Sequence, residues 1–307
     1  MFLQKRRVIT NNKKFEINIK IESFIYNNME IIINDCLKSE SFTTIFQCMK
    51  NFTEVINIHF NEEGVYFQTM DNAHVSVVKL NIPAKWFSQY KCTSNTVLGI
   101  NINILHKILA TKEKNQILHI IYESEKDSLE IHFLNNIETK ENGKKGRKGK
   151  KSEEVNTEMK SYDKHFQIPL VDLESEEMNI PSIEYDVEFS LFSVNFSNMV
   201  SQLKMFGDTM EFECSEEKIT LFSNNSEFGK MSVVMNVDDL TEFSINEGSN
   251  LKQSFALTFL NHICAFHRLA KEIEIKIVKD YPLYIFYNLG EDANITFHLA
   301  PKINDDE

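Results

Sequence analysis

The feature that most constrains the fold of this chain is an internal repeat with an offset of about 154 residues. Two apolar stripes with helical spacing match at that offset: Phe42, Ile45, Phe46 and Met49, and Phe196, Met199, Val200 and Leu203. A second pair of stripes, within 102–108 and 257–263, matches at an offset of 155. A nearly constant offset across two helices and the strands between them predicts two copies of one domain. The 307 residues are enough for two domains with their own hydrophobic cores.

Each copy is predicted to contain two helices and several short strands. Helical spacing of apolar residues occurs in four segments, 41–52, 101–111, 195–206 and 255–268. Short β-branched or aromatic runs predict ten strands: 56–60, 65–69, 75–80, 117–122, 129–133, 210–214, 219–222, 231–234, 273–278 and 283–287. Each helix must bury its apolar face against a sheet, which favours an α+β fold. Open sheet edges need partners, and head-to-tail association that closes would make a ring.

The composition narrows the class of protein. The formal net charge of −12 argues against broad non-specific adhesion to nucleic acid or anionic membranes, but it is compatible with one basic surface on an acidic body. Hydrophobic residues make up 42% and charged residues 25% of the chain, as in globular proteins. No apolar run approaches the ~18 residues that span a bilayer. The five scattered cysteines lack zinc-ligand spacing, so we expect reduced thiols in a soluble intracellular protein.

Two segments differ from the rest of the chain. Residues 137–161 include six Lys or Arg residues interspersed with glycines in 143–151, which predicts a flexible, exposed loop. A nuclear-localisation signal, a nucleic-acid contact and a merely solvated insertion all remain open for this loop. The first 28 residues are predicted to be an N-terminal extension, in which 15–24 alternates like a strand.

Catalytic motifs are missing from the sequence. It contains no GxxxxGK[ST], GxSxG, HExxH or GxGxxG pattern. Cys264 lies near two histidines, but its apolar helical surroundings predict core packing. The carboxylates at 238–242 are interpreted as plain surface, and Trp86-Phe87 as a pair buried against a sheet. We therefore expect a protein that is not an enzyme and that needs no cofactor and no metal.

Two segments resemble the proliferating cell nuclear antigen (PCNA) family, the eukaryotic-type DNA sliding clamps. Thr69–Leu80 reads Thr-Met-Asp-Asn-Ala-His-Val-Ser-Val-Val-Lys-Leu and resembles the family's S-M-D-S-S-H-V-S-L-V segment. Leu299–Ile303 reads Leu-Ala-Pro-Lys-Ile and is similar to the family's C-terminus, which also continues into an acidic tail. Shorter matches at 98–101, 107–109, 178–181 and 255–257 fall in family order. The resemblance spans roughly 29–307 and is interrupted by the basic insertion.

The resemblance implies the DNA-clamp fold. In that fold two topologically similar domains, each with two helices on antiparallel sheets, form a chain that assembles into a closed ring of three around duplex DNA. The implied divisions are an N-terminal extension (1–28), a first clamp domain (29–168, with the insertion), an interdomain connecting loop (169–185) and a second clamp domain (186–307).

The resemblance also implies a pocket for partner peptides that carry a Gln-x-x-aliphatic-x-x-aromatic-aromatic box. Carried over position by position, its residues are Met70, His74, Val75, Val77, Met178, Ile180, Pro282, Ala300 and Pro301. Methionines and small aliphatic side chains make a pocket that adapts to many partners. The sequence departs from the family at His298, where Tyr is common.

A basic lining is expected wherever the ring surrounds DNA, because DNA carries a negative charge about every 1.7 Å of its axis. The candidates on the polar helix faces are Lys50, Lys107, Lys112, Lys204, His267 and Arg268. Seven aligned positions where the family usually has Lys or Arg are uncharged here: Thr43, Thr44, Ala110, Asn198, Ser201, Thr258 and Ala265. We therefore expect weak, strongly salt-dependent DNA contact, with retention coming from encirclement.

The leading hypothesis is a homotrimeric sliding clamp that acts as a DNA polymerase processivity factor. Its expected partners are double-stranded DNA, DNA polymerase, other replication and repair proteins with the box, and a clamp loader, with no membrane. We expect it in the nucleus, or at a cytoplasmic replication site if the chain is viral, since abundant Asn, Ile, Lys and Phe suggest an AT-rich protist or viral genome. Two alternatives remain: a subunit of a checkpoint-type heterotrimeric clamp, and a monomeric peptide-binding scaffold that does not encircle DNA.

Overall fold

The computed structural model describes residues 29–124, 126–135, 161–174, 178–181 and 183–302. These residues form the α-helices α1 (Cys36–Met49), α2 (Ile102–Leu109), α3 (Ser193–Leu203) and α4 (Leu257–Cys264), the last continued by a 3-10 turn over Ala265–Arg268. The predictions for the N-terminal extension and for nearly all of the basic insertion lie outside the described residues.

Strands account for most of the remaining described chain. The strands of the first half are β1 (Met29–Ile33), β2 (Val55–Asn61), β3 (Gly64–Met70), β4 (Ser76–Pro83), β5 (Gln89–Cys92), β6 (Thr96–Asn101), β7 (Gln116–Tyr122), β8 (Ser128–Asn135) and β9 (Lys164–Pro169). Those of the second half are β10 (Val187–Phe192), β11 (Thr209–Cys214), β12 (Lys218–Asn225), β13 (Gly229–Asn236), β14 (Glu242–Ile245), β15 (Leu251–Ala256), β16 (Glu272–Ile277), β17 (Leu283–Gly290) and β18 (Ala293–Leu299).

The two halves of the chain repeat one topology. In the first half the strands are ordered β5-β1-β7-β8-β9 and β4-β3-β2-β6, and in the second half β14-β10-β16-β17-β18 and β13-β12-β11-β15. Helices α2 and α4 match at both ends with an offset of 155 residues. The α+β fold and the repeat predicted from the apolar stripes are therefore confirmed.

The predicted helices are correct in number but shifted at their ends. Helix α1 begins at Cys36 rather than at 41, because the Asp35 carboxylate accepts hydrogen bonds from the backbone N–H groups of Leu37 and Lys38. In the same way Asn101 caps α2 by accepting from the N–H of Ile104. The apolar stripe of α1 indicates its buried face, but the polar capping residue defines where the helix starts.

All ten predicted strands are present, and eight further strands were not predicted. The eight are β1, β5, β6, β9, β10, β14, β15 and β18. Edge strands such as β5 and β14 have only four residues each and half-exposed side chains, so they carry little alternation of apolar and polar residues.

One antiparallel pairing joins the two halves. Strand β18 pairs with β4 from Asn294↔Asn81 to Leu299↔Ser76, and this pairing merges two sheets into one of nine strands. The strands equivalent to β18 and β4 in the opposite halves are β9 and β13. Both lie at sheet edges in the described part of the chain. Val78 and Leu80 of β4 are fully buried, whereas Met231 and Val233 at the matching positions of β13 are half-buried.

The core lies between the helices and the sheets. Phe52, Phe266 and Phe297 meet there from both halves, with ring centroids 5.0–6.2 Å apart. Cys264, Trp86 and Phe87 are buried, as predicted. Among the described residues no helix is long and apolar enough to cross a membrane.

Candidate partner-binding and nucleic-acid surfaces

The segment 170–186, which we call the strap, crosses the face of the nine-stranded sheet that points away from the helices; its described residues, 170–174, 178–181 and 183–186, form no helix or strand. Successive strands β6, β2 and β3 hold its first part. Three hydrogen bonds do this: Val171 N–H to Gly99 O (2.9 Å), Asn57 Nδ2–H to Leu173 O (3.0 Å) and Gln68 Nε2–H to Met178 O (2.7 Å). The strap is therefore attached to the sheet at intervals, once by a backbone hydrogen bond and twice by side-chain amides that point out of the core.

Gly99 allows the strap to approach the sheet closely. A Cβ atom at this position would lie 1.9 Å from the carbonyl oxygen of Val171 and 3.3 Å from Oδ1 of Asn57. Any larger residue would therefore push the start of the strap away. This glycine is needed for space, and its role is not visible in the alternation of β6.

The contact between Gln68 and the strap is oriented by a neighbouring side chain. The hydroxyl of Tyr66 donates to Oε1 of Gln68 (2.7 Å), which leaves the amide nitrogen of Gln68 directed at the carbonyl of Met178. Since Met178 is a predicted pocket residue, this chain of hydrogen bonds sets its backbone position.

The last part of the strap is attached to the second half of the chain by a lysine whose ammonium lies beside two aromatic rings. The ammonium of Lys276 lies 6.0 Å from the ring centroid of Tyr185 in the strap and 5.6 Å from that of Tyr284 in β17. It also forms ion pairs of 2.8 Å with Glu188 and Glu274. Burial lowers the pKa of Lys276, but the hydrogen bonds that its ammonium donates to the two carboxylates outweigh burial and raise the pKa, so the side chain stays charged.

The loop after β3 is organised around a buried carboxylate. Asp71, which is 4% exposed, accepts hydrogen bonds from the N–H groups of Ala73 (2.8 Å), Val75 (2.9 Å) and Ser76, and from the Ser76 hydroxyl (2.9 Å). His74 has a positive φ of 56° in this tight loop and its side chain is exposed. The Met-Asp-x-x-His-Val pattern is thus a loop folded around its aspartate.

A row of side chains runs across the sheet beneath the strap. Strand register places Met70 opposite Val77, Val77 opposite His298, and His298 opposite Tyr284. The rings of His298 and Tyr284 meet edge to face at 5.4 Å. Burial, together with the charge of Lys79, lowers the pKa of His298 to about 4. The ring at the family's tyrosine position is therefore an uncharged imidazole at neutral pH.

Two grooves flank the strap, and the predicted pocket residues divide between them. Met70, His74 and Met178 line a first groove of about 510 Å³ over β2 and β3. Ile180 lines a second groove of about 670 Å³ on the other side, which also contains Lys276, Tyr284 and His298. The predicted pocket residues that line a groove therefore lie in two regions of surface, one on each side of the strap.

The other five predicted pocket residues line neither groove; they are Val75, Val77, Pro282, Ala300 and Pro301. Val77 belongs to the row beneath the strap. The N–H of Ala300 donates to the carbonyl of Val75 (2.9 Å). The pairing of Leu283 with Leu299 brings Pro282 to the same end of the sheet as that corner. These residues form the wall at the end of the row and are half-buried.

On the opposite side of the molecule, several of the predicted DNA-facing cations lie on the helix layer. Lys50 and Lys107 are exposed on the first half, and Arg268 is exposed on the second half. The end of α1 meets the turn after α4, where the thiol of Cys48 donates to the carbonyl of Ala265 (3.5 Å). Burial raises the pKa of that thiol to about 11, while the charges of Arg268 and Lys50 lower it, so both cations lie near Cys48.

The remaining candidates are less available. Lys112 is half-buried, and burial lowers its pKa. Lys204 is half-buried near His262, whose pKa is lowered by burial and by the Lys204 charge. Nδ1 of His267 lies 2.8 Å from the carbonyl of Cys264 and is used at the end of α4. The basic character of this face therefore rests on few side chains.

The cysteine and the carboxylates that the sequence analysis considered as reactive groups have ordinary surroundings. The described residues contain no group of three or more His, Cys, Asp or Glu that could hold a metal ion. Burial raises the pKa of the Cys264 thiol, so it is not a thiolate nucleophile. Asp238, Asp239 and Glu242 are exposed.

Sequence reasoning missed the residues that position the strap. These are Asn57, Gln68, Asp71, Gly99, Tyr185 and Lys276. For Asp71 a signal was present in the matched Met-Asp-x-x-His-Val segment. Gly99 lies in the shorter match at 98–101, but that match does not show its role. The others act through contacts between distant parts of the chain, and no local pattern distinguishes them from ordinary strand or loop residues.

Comparison with known proteins assigns both halves of the chain. The family model described as proliferating cell nuclear antigen, N-terminal domain, matches residues 35–147, and the corresponding C-terminal domain model matches residues 179–302. Proliferating cell nuclear antigen from Chaetomium thermophilum is 27% identical over 268 residues, covering 86% of this chain and 95% of that protein. Proliferating cell nuclear antigen 2 from Plasmodium falciparum is 28% identical over 278 residues, covering 88% and 98%.

A solved structure shows the same fold. The crystal structure of proliferating cellular nuclear antigen from Entamoeba histolytica superimposes with a TM-score of 0.75 at 22% identity. The match covers 90% of this chain and 100% of that one.

Proposed function

Because the chain belongs to the proliferating cell nuclear antigen family and is a sliding clamp that serves as a polymerase processivity factor, we propose that three copies close into a ring around duplex DNA. In this proposal the ring tethers replication and repair proteins through the strap and the two grooves beside it. The chain acts by binding, as a scaffold without enzymatic activity, and depends on a separate ATP-driven loader. The nucleus is the proposed site of action.

The observation that supports ring closure is the pairing between β18 and β4. Within the chain this pairing seals the junction between the two halves. The equivalent strands β9 and β13 lie at sheet edges, and an open edge is a template for pairing with another chain. If the repeat continues between copies, β9 of one copy pairs with β13 of the next. A heterologous contact of this kind generates a ring when the rotation closes.

The internal junction also predicts the register of that contact. Matching β9 to β18 and β13 to β4 through their neighbouring strands converts the pair Phe297↔Val78 into Phe166 opposite Met231 of the next copy. Both of these side chains are only half-buried in the single chain and pack on the core edge. Burying them on assembly supplies the apolar contact that the internal junction already has.

The proposed division of the chain follows the strap. We assign 29–168 and 186–307 to the two clamp domains and 169–185 to the connecting loop. Met70, His74, Val75, Val77, Met178, Ile180, Pro282, Ala300 and Pro301 form the proposed partner-peptide site. Lys50, Lys107, Lys112, Lys204, His267 and Arg268 are the proposed DNA-facing residues, with Lys50, Lys107 and Arg268 the most accessible.

Native mass spectrometry with a box-motif peptide tests this proposal. We expect a trimer that takes up three peptides, and a Met178→Ala, Ile180→Ala variant that remains trimeric but binds no peptide. A stable monomer would favour the scaffold that does not encircle DNA. A chain that assembles only when related subunits are added would favour the checkpoint-type clamp.

A further inference from the structure

The strongest unassigned arrangement is the aromatic box around Lys276 at the end of the strap. Tyr185 belongs to the strap, Tyr284 belongs to β17, and the two ring centroids are 5.8 Å apart with the lysine ammonium next to both. Glu188 of β10 and Glu274 of β16 complete the arrangement through their 2.8 Å ion pairs with the same ammonium. Lys276, which belongs to β16, thus connects the strap to β10 and β17 as well as to its own strand.

This box is continuous with the proposed peptide site. Tyr284 contacts His298 edge to face, and His298 pairs with Val77 in the row beneath the strap. Ile180 and His298 line the same groove as Lys276 and Tyr185. A change in the position of Tyr185 or Tyr284 therefore moves the wall of the groove that holds Ile180.

The contacts favour a fixed strap end over a mobile one. A cation near an aromatic face is attracted by the ring quadrupole, and the attraction increases when water is partly excluded. The side chain of Lys276 is 22% exposed, while its carboxylate partners are 41% and 33% exposed. The ammonium is thus partly sheltered from water, and its contacts with the two rings act together with the two ion pairs.

We propose that Lys276 is a positioning residue for partner binding: it holds Tyr185 against Tyr284 and so keeps the strap in the conformation that accepts the peptide. This inference rests on the proposed function for the identity of the ligand, but the locking of the strap by Lys276 is independent of it. Peptide binding is tighter when the site is ordered in advance, because less conformational entropy is lost in the complex.

Four single variants and one double variant test whether the box acts as a unit. Lys276→Met and Tyr185→Leu remove the cation and the ring with little change of volume, while Lys276→Arg and Tyr185→Phe keep a cation and a ring. We expect each of the first pair to raise the Kd of a box-motif peptide about tenfold. The Lys276→Met, Tyr185→Leu double variant should raise the Kd by no more than about twentyfold, since the two residues act through one contact. We expect the conservative pair to stay within about threefold of the unchanged chain.

Hydrogen exchange of strap amides is the second readout. In Lys276→Met, amides at 183–186 should exchange faster, while those at 171–173, held by Gly99 and Asn57, should be unchanged and serve as an internal control. Independent, multiplicative effects of the two substitutions would overturn the proposal, as would conservative variants as weak as the Leu and Met ones. Unchanged exchange at 183–186 would also overturn it. If the unchanged chain bound no peptide while the exchange result held, the proposed partner site would be wrong but the lock would stand.

Discussion

The hydrogen bond between Gln68 and Met178 gives a direct test of how the strap is held over the proposed pocket. Gln68→Ala removes the 2.7 Å bond from Nε2 to the carbonyl of Met178 and the bond that Oε1 accepts from the Tyr66 hydroxyl. A neutral hydrogen bond contributes about 1 kcal/mol net, and the half-exposed carbonyl can be rehydrated, so no orphaned polar group adds to the cost. For a chain of this size that free energy lowers the melting temperature by about 2–4 °C.

The effect on binding should be larger than the effect on stability. Once Met178 is released, this strap residue must be ordered when the peptide binds, which costs about 1–2 kcal/mol of backbone entropy. We therefore expect the peptide Kd, measured by fluorescence anisotropy, to rise about 5- to 30-fold. Gln89→Ala removes the same side chain from exposed β5, away from the strap, and should leave the Kd unchanged.

A smaller substitution separates the effect of orienting the Gln68 amide from the effect of its contact with Met178. Tyr66→Phe keeps Gln68 but removes the hydroxyl that directs its amide, so we expect an intermediate rise in Kd. The reasoning would be refuted by a peptide Kd in Gln68→Ala that stays within twofold of the unchanged chain while the melting temperature falls as expected. That result would mean that the strap at Met178 has no part in peptide binding.

Three further outcomes are expected. Met231→Asp places a charge at the proposed intersubunit edge and should convert the trimer into folded monomers in sedimentation velocity, whereas Val97→Asp, an exposed change on β6, should remain trimeric; a trimeric Met231→Asp would refute the β9–β13 contact. In NMR titrations His298 should protonate near pH 4, well below its ordinary range, and Lys79→Met should raise that pKa only in part because burial is the larger cause; peptide binding should accordingly show no step from His298 between pH 8 and 6. Lys50→Ala and Lys107→Ala should each reduce the slope of log DNA affinity against log salt by about 1 if both contact phosphates, and an unchanged slope would remove them from the DNA-facing set.

The general architecture follows from local patterns in the sequence. The stripes at 42–49 and 196–203 predict helices because an amphipathic helix must bury one face, and their common offset predicts the duplication that the strand order confirms. The helix ends were less predictable, because Asp35 begins α1 through hydrogen bonds to Leu37 and Lys38 and lies outside the apolar stripe. Short edge strands such as β14 were missed because half-exposed positions carry little alternation.

The strap illustrates why much of the candidate site could not be read from the sequence. Gly99 is an ordinary residue within β6 until Val171, more than seventy positions later, passes over it. Lys276 looks like the solvated residue of an alternating strand, but its ammonium lies beside two tyrosines from different segments. Such contacts depend on the folded chain, and only a matched motif, as for Asp71, makes one of them visible in advance.

Encirclement is the central claim, and retention on DNA of different topology tests it most directly. The chain is loaded by an ATP-driven clamp loader onto a nicked circular plasmid and isolated at high salt, and half of the sample is then linearised. We expect the protein to stay on the circle at high salt and to be lost from the linear DNA, because few cations on the helix face hold it by affinity. Equal retention on both forms, or release from the circle whenever salt is raised, would contradict a ring that encloses the duplex.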